Sequence, residues 1–248
     1  MRFYDELAPL YHLIYPDWEA SMRRQGDALD AIVRARMDRS PRTVLDAASG
    51  VGTQSLALAK LGYEVTASDL SEAAVERAAA EARARGLVLR TSVADMREAF
   101  DHQQRTFDVV IACDNSVPHL LSDADILRAF EQFYRCTAPG GLCLISVRDY
   151  DAVERGQTQL HPHGVRQVDG TRYVLFQVWE WEGPLYHTTM YVIEHADGAE
   201  PVVRATRATY YAVPISTLVQ LLRQAGFGEV ERIDGEFFQP VLVGRKGA

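Results

Sequence analysis

Chemistry in this chain concentrates where short apolar runs end. The first such place is Val44-Leu45-Asp46-Ala47-Ala48-Ser49-Gly50-Val51-Gly52-Thr53, an apolar run that closes on an acid and breaks into a Gly-x-Gly turn, with a helix expected from Gln54 to Leu61. Glycines let backbone pass close to a ligand, and the helix start that follows presents unpaired N–H groups, so the turn is a nucleotide cradle. A turn built for a dinucleotide pyrophosphate carries a third glycine three residues after the second. Here that place is Ser55. Asp46 stands just before the turn, where a carboxylate would repel phosphates, and a cationic ligand suits it better.

Two further acids sit at matching places. Asp69 closes the second apolar run, at the spacing where an acid takes both hydroxyls of an adenosine ribose. Asp95-Met96 follows the third run and can hold adenine, the carboxylate accepting from the exocyclic amine while Met96 covers the ring. S-adenosylmethionine, with its sulfonium and amino groups, is the common cationic nucleoside cofactor. The pattern Asp-x-x-x-Gly-x-Gly after a first strand resembles motif I of the class I S-adenosylmethionine-dependent methyltransferases. The cofactor-binding set expected from it is Asp46, Ala48, Gly50, Gly52, Asp69, Leu70, Asp95, Met96 and Cys113.

The fourth and fifth apolar runs end in Cys113-Asp114-Asn115-Ser116-Val117-Pro118-His119-Leu120 and Val147-Arg148-Asp149-Tyr150-Asp151. These segments resemble the Asn-Ser-x-x-His-Leu and Arg-[Asn/Asp]-Tyr-Asp segments of the glycine and sarcosine N-methyltransferase group. Tyr210-Tyr211-Ala212-Val213-Pro214 and Leu13-Ile14-Tyr15-Pro16-Asp17-Trp18 extend the likeness to both ends of the chain. The resemblance implies that Arg148 grips a substrate carboxylate through its planar fork, that Asn115 orients the substrate amine or carboxylate, and that Arg24 or Arg23 holds the cofactor's own carboxylate. Transfer of a methyl group to a neutral amine needs no strong base, which fits a pocket of tyrosines, Tyr11, Tyr15, Tyr210 and Tyr211, with one arginine. Asp114 departs from the group, which commonly shows glycine there; such a carboxylate could hold a cation, accept a proton or point away. His119 is either a base or a loop anchor. An ion pair with Asp149 or Asp151 is the plain alternative for Arg148, and a solvated helix face for Arg24.

The elements that must position these residues alternate strand and helix, the pattern of a doubly wound, Rossmann-like, mostly parallel seven-stranded α/β sheet with helices on both faces. Strands are expected at 43–47, 63–68, 87–92, 107–113 and 142–147, with helices from Trp18 to Met37, from the Ser71 cap to Ala84, and from Asp123 to Cys136. Residues 1–38 form a helical lid. Residues 152–211 read as an antiparallel insertion over the site, with strands at 171–181, 185–195 and 202–211 that are rich in Val, Tyr, Trp and Thr. A helix from Ile215 to Ala225 and strands near 229–233 and 241–243 complete a single methyltransferase domain spanning 1–248.

Composition bounds the partners. With 26 basic and 34 acidic residues among 248, the net charge is −8, and no Lys/Arg run forms a patch, which argues against nucleic acid and anionic membrane. Three cysteines, none in a C-x-x-C pair, argue against a disulfide frame or a metal site, and no metal is expected at His161-Pro162-His163 either. The acidic, aromatic start is unlike a signal peptide, so a cytoplasmic protein with a small-molecule substrate is expected, a homo-oligomer staying open. The reading is methyl transfer to the amine of a small amino acid or related carboxylated amine. Alternatives are a small-molecule O-methyltransferase of secondary metabolism, with Asp114 or His119 as base, a non-catalytic S-adenosylmethionine-binding module, and a dinucleotide oxidoreductase.

Overall fold

Period-two burial builds the centre of the computed structural model, which describes residues 2–37 and 39–247; residues 1 and 38 of the expected lid lie outside the described residues. In β1 (Thr43–Asp46), β4 (Phe107–Ala112) and β5 (Thr137–Ser146), neighbouring apolar side chains point to opposite faces of one sheet. Leu45, Val110, Ala112, Cys143 and Ile145 join one core layer, and Val44, Val109, Ile111, Leu142 and Leu144 join the other. Continuous apolar strands of this kind need cover on both sides. On one face it comes from α6 (Asp123–Cys136) and α7 (Ile215–Gln224), on the other from α2 (Trp18–Arg34) and α3 (Thr53–Lys60).

With β2 (Glu64–Asp69), β3 (Leu89–Val93), β10 (Glu229–Ile233) and β11 (Val241–Arg245), the sheet has seven strands in the order β10-β11-β5-β4-β1-β2-β3. Pairing is parallel from β3 to β5, whereas β11 runs antiparallel to both β5 and β10. The order reverses between β1 and β4, which is where open α/β sheets bind ligands. Ser71 caps α4 (Glu72–Ala84) by accepting from the Ala74 N–H at 3.2 Å, as the sequence indicated. A short α1 (Arg2–Leu7), a 3₁₀ turn over 8–14 and α5 (Ala99–Gln103) complete the helices.

The insertion is a four-stranded antiparallel sheet, β6 (Gln159–Val168), β7 (Thr171–Glu182), β8 (Leu185–Ala196) and β9 (Val202–Tyr211). Three of these strands stand where the alternation places them. The fourth, β6, was not expected, because Pro162 and Gly164 interrupt its pattern. Its register shifts between those two residues, a bulge that an edge strand tolerates. Pro139-Gly140-Gly141 forms a bulge inside β5, which begins five residues before the strand expected from Leu142. A Cβ at Gly141 would lie 2.7 Å from the Asp108 carbonyl oxygen, so that position takes no larger residue. Phe3, Leu7 and Leu13 pack on Leu175, Met190 and Val192, which fastens the amino-terminal segment to the insertion sheet. Among the described residues, no helix is long and apolar enough to cross a membrane.

Gly26 sets how closely α2 lies on α3, since a Cβ there would stand 2.6 Å from the Ala57 Cβ. Gly26→Ala should therefore destabilise the protein by about 1–3 kcal/mol despite its better helix propensity. Urea unfolding monitored by circular dichroism checks this, and a variant as stable as the parent would show that the two helices separate freely.

Candidate active site

A cavity of about 600 Å³ opens at the carboxyl ends of β1, β2, β3 and β4, under the amino-terminal segment and the β8–β9 edge of the insertion. Of the residues singled out from the sequence, Ala48, Gly50, Asp69, Leu70, Asp95, Met96 and Cys113 line its cofactor end. Asp114 and His119 line it further along, with Tyr4 and Tyr11. Asp46, Gly52, Arg24, Asn115, Arg148, Tyr15 and Tyr211 are not part of its wall.

The glycine turn is held by Asp69. The Gly50 N–H donates to Asp69 Oδ2 at 2.8 Å and the Ser71 N–H to Oδ1 at 2.9 Å, which leaves each carboxylate oxygen a lone pair for the cavity. Burial pushes the Asp69 carboxyl up, and these backbone donors oppose the shift. Gly50 has φ +51°, and a Cβ on it would meet no protein atom within 4 Å, so its bare face lines open space. Gly52 acts differently. It caps α3 at φ +91°, and a Cβ there would lie 3.1 Å from Ala78 Cβ, so this glycine packs α3 on α4. The Ser49 hydroxyl is buried in the cavity wall with no partner among the described residues. A ribose beside Asp69 and a polar tail at Ser49 fit this donor set.

Asp46 lies behind the turn, where Ser55 Oγ donates to it at 2.6 Å. Burial raises its pKa to about 7, against the bonds from Ser55 and the Ala48 N–H. Its position makes it a support for the turn instead of a wall residue. Asp95 accepts from the Arg97 N–H at 2.8 Å and from the Arg97 guanidinium at 2.6 Å; although burial pulls its carboxyl up, these bonds hold it below the usual range. Met96 stands half-buried beside it. Arg24 is exposed and donates to Ser21 on its own helix at 2.9 Å, away from the cavity.

Beyond Cys113, whose thiol burial pushes well up, the chain makes two successive left-handed residues, Asp114 at φ +56° and Asn115 at φ +64°. Asp and Asn tolerate this conformation better than other side-chain-bearing residues. The double turn sends the two side chains to different places. The Asp114 carboxylate enters the cavity, where Oδ2 accepts from Tyr15 at 3.1 Å and from Tyr11 at 3.3 Å. Asn115 turns inward. Its Nδ2 donates to Tyr150 Oη at 2.7 Å and its Oδ1 accepts the Arg148 N–H at 3.1 Å, so its amide braces the ends of β4 and β5 and has its partners within the protein.

Arg148 has no carboxylate partner among the described residues. Asp149, offered by the sequence as its ion-pair partner, bonds Arg232 at 2.7 Å instead. The half-buried Arg148 guanidinium lies 4.3 Å from the ring centroid of Trp179 and donates to Tyr186 Oη at 3.4 Å. Across the β7–β8 pair from Trp179, Thr188 is buried and its hydroxyl is unpartnered. Trp179, which with Trp181 the sequence offered as either pocket wall or sheet packing, gathers with Tyr186 and Thr188 on one face of the insertion only once β7 and β8 are in register.

Of the two tyrosines before the last helix, neither lines the cavity, and Tyr210 packs behind its wall. It stacks on Tyr186 with centroids 5.1 Å apart and lies 4.0 Å from the His119 ring, while Tyr211 bonds Asp123 on the other side of the strand. Tyr4, which the sequence reading did not single out, bonds His119 Nε2 at 2.9 Å. Trp18 Nε1 donates to Thr53 Oγ1 at 3.0 Å and ties the lid to the glycine turn.

Burial lowers the His119 pKa from 6.5 to about 4, against a bond with the Thr209 backbone. Between those values the unfolded chain binds the proton and the folded one does not, so stability is full above pH 6.5 and falls as pH drops toward about 4. The loss attached to this group should be on the order of 2–3 kcal/mol. Asp46 acts in the opposite sense, stabilising at low pH and losing that contribution as pH rises through about 7. Denaturation midpoints from pH 4 to 8 for the parent and His119→Gln should converge as pH falls; parallel curves would mean that folding does not shift the titration of His119.

Residues 44–141 match the family model described as a methyltransferase domain. A glycine/sarcosine N-methyltransferase from Parasynechococcus marenigrum (strain WH8102) is 33% identical over 157 residues, covering 63% of this chain and 53% of that protein. The chain spans about half the length of the curated relatives it matches. Among solved structures, an S-adenosylmethionine-dependent methyltransferase from Clostridium acetobutylicum ATCC 824 superposes with a TM-score of 0.79 at 16% identity, covering 99% of both chains. The sugar N-methyltransferase KedS8 from Streptoalloteichus sp ATCC 53650 superposes with a TM-score of 0.77 at 20% identity, covering 92% of this chain and 88% of that one. At such identities the likeness is one of fold.

Proposed function

We propose that this chain, a class I S-adenosylmethionine-dependent methyltransferase by fold and family match, methylates the amine of a small carboxylated acceptor. The observation that carries the reading is Arg148, a half-buried guanidinium seated on Trp179 with no carboxylate of its own. A buried cation without an anion is costly, and a bidentate acceptor carboxylate would supply both charge and hydrogen bonds. The glycine/sarcosine relatives support nitrogen as the methylated atom.

Gly50 would admit the cofactor's backbone-hugging portion, with Asp69 at the ribose, Met96 at the adenine face and Ser49 at a polar end of the methionine moiety. When bound, S-adenosylmethionine supplies an electrophilic methyl group on its sulfonium. The protein's task is alignment and exclusion of water. Tyr4, Tyr11 and Tyr15, carried by the lid, close the acceptor side through His119 and Asp114. Arg148 fixes the acceptor by its carboxylate, so that its nitrogen faces the cofactor. His119, neutral and engaged with Tyr4, is a loop anchor in this reading.

A screen of amines, amino acids and hydroxylated metabolites, read by S-adenosylhomocysteine release, should find carboxylated amines as the best acceptors. Arg148→Ala should lower kcat/KM for them by about 30- to 1000-fold, the cost of about 2–4 kcal/mol of a desolvated charge contact, and leave cofactor affinity within about threefold. Arg148→Lys should recover little of the loss, having no planar fork. Unchanged turnover of carboxylated acceptors in Arg148→Ala would remove the carboxylate assignment, and preferred turnover of hydroxyl compounds would favour O-methylation.

A second prediction concerns the cradle. Asp69→Ala removes the acceptor that pairs the Gly50 and Ser71 N–H groups and, with it, the proposed ribose partner, so S-adenosylhomocysteine affinity should fall about 100-fold or more. Calorimetric titration of the variant measures it, and an affinity near that of the parent would place the nucleoside elsewhere in the cavity.

A further inference from the structure

We infer that Asp114 is the proton acceptor of the reaction, receiving the acceptor as an ammonium ion on its free oxygen and taking the proton that blocks the nitrogen lone pair. The inference rests on the acceptor being an amine and adds to it a residue, a protonation state and a pH dependence.

The geometry has three parts. First, the two hydroxyls that reach Asp114 both go to Oδ2, and Oδ1 has no hydrogen-bond partner among the described residues. A carboxylate lining a cavity with one oxygen held and one open is poised for a donor from the ligand. Second, Asp114 and Arg148 are opposite charges at the ends of neighbouring strands, each without an ion-pair partner among the described residues, although the Arg148 charge is felt at Asp114. Two uncompensated charges that do not pair with each other match a ligand carrying both signs, such as an amino acid zwitterion. Third, the backbone at Asp114 is left-handed, at φ +56°, where glycine costs least. A side chain kept at such a position despite the strain is one whose carboxylate has a use.

The groups facing Asp114 are Tyr11 and Tyr15 from the lid, Cys113 before it in the chain, Arg148 beyond β5, and Tyr4 and Tyr210 at longer range. Burial pushes the Asp114 carboxyl up, while Tyr15, Tyr11 and Arg148 hold it back, an environment that narrows the gap between a carboxylic acid and an ammonium. In the step proposed, one N–H bond of the ammonium breaks and an O–H bond forms at Oδ1. The bonding pair stays on nitrogen as the lone pair. Ammonium and carboxylate become amine and carboxylic acid with no net change in charge, and Asp114 returns its proton to solvent after the product leaves.

The decisive experiment is the pH profile of Asp114→Asn, with Asp114→Gly as a second variant that removes the side chain at a backbone conformation glycine adopts freely. The acceptor used is the carboxylated amine that the wild-type enzyme methylates fastest in the screen above. For wild type, kcat/KM should be flat from the Asp114 pKa up to that of the acceptor's ammonium. Both variants should lose on the order of 100-fold at pH 7, and their kcat/KM should rise about tenfold per pH unit toward the ammonium pKa, because they must wait for free amine. An independent reading comes from calorimetric titration of the same acceptor into protein saturated with S-adenosylhomocysteine, in two buffers of different ionisation enthalpy. At pH 7 the variants should release about one proton per acceptor bound and the wild type close to none. Variants with a flat profile and the wild-type proton count would overturn the role of Asp114. If the wild type methylates only amines that lack a carboxylate, the Arg148 assignment fails by itself and the same slope test applies to those amines; if it methylates no amine, both fall.

Discussion

The Asp69 carboxylate pairs backbone that would otherwise be stranded. A turn that brings main chain against a ligand exposes N–H groups which neither sheet nor helix satisfies, and buried unpaired donors are costly. Asp69 takes the Gly50 N–H with one oxygen and the Ser71 N–H with the other, so one side chain shapes the glycine turn after β1 and the start of α4 after β2. Ser55 and Asp46 brace the same turn from behind, and Trp18 ties the lid to it through Thr53. The cradle is therefore a product of parallel strand pairing, which sets the ends of β1 and β2 side by side.

A second brace, the Asn115 amide, does for the ends of β4 and β5 what Asp69 does for the ends of β1 and β2. By holding Tyr150 and the Arg148 N–H it joins β4 to β5, and Tyr150 in turn meets Tyr186 of the insertion at 3.0 Å. Arg148 thus has a fixed backbone and an aromatic seat on Trp179, with no ion pair among the described residues to neutralise it. The residue that the family likeness suggested as a substrate contact is in this structure a support for its neighbours. Asp114, which the likeness did not explain, is the one of the pair that enters the cavity.

Closure of the site comes from elements distant in sequence. Tyr4, Tyr11 and Tyr15 reach His119 and Asp114 only because Phe3, Leu7 and Leu13 are buried against β7 and β8. Apolar burial thus places the amino-terminal segment, and three phenolic hydroxyls fix its position against His119 and Asp114. Such an arrangement couples the acceptor pocket to the packing of the amino terminus, since loosening that apolar contact would withdraw the donors from Asp114.

By itself the sequence determined the seven-stranded doubly wound architecture, three of the four insertion strands and which acids and glycines stand at the carboxyl ends of β1 and β2. These signals are local: period-two apolar runs, caps such as Ser71, and an acid and glycines at short spacing after a strand. Tertiary structure decided what each residue faces. It set Gly50 to the cavity and Gly52 to a helix contact, turned Asn115 inward and Asp114 into the cavity through two left-handed residues, and stacked Tyr210 on Tyr186. It also brought Trp179 beneath Arg148 and Tyr4 to His119. Orientation at these points depends on cross-strand register and long-range packing, which arise from pairs of segments and leave no mark in the pattern of either segment alone.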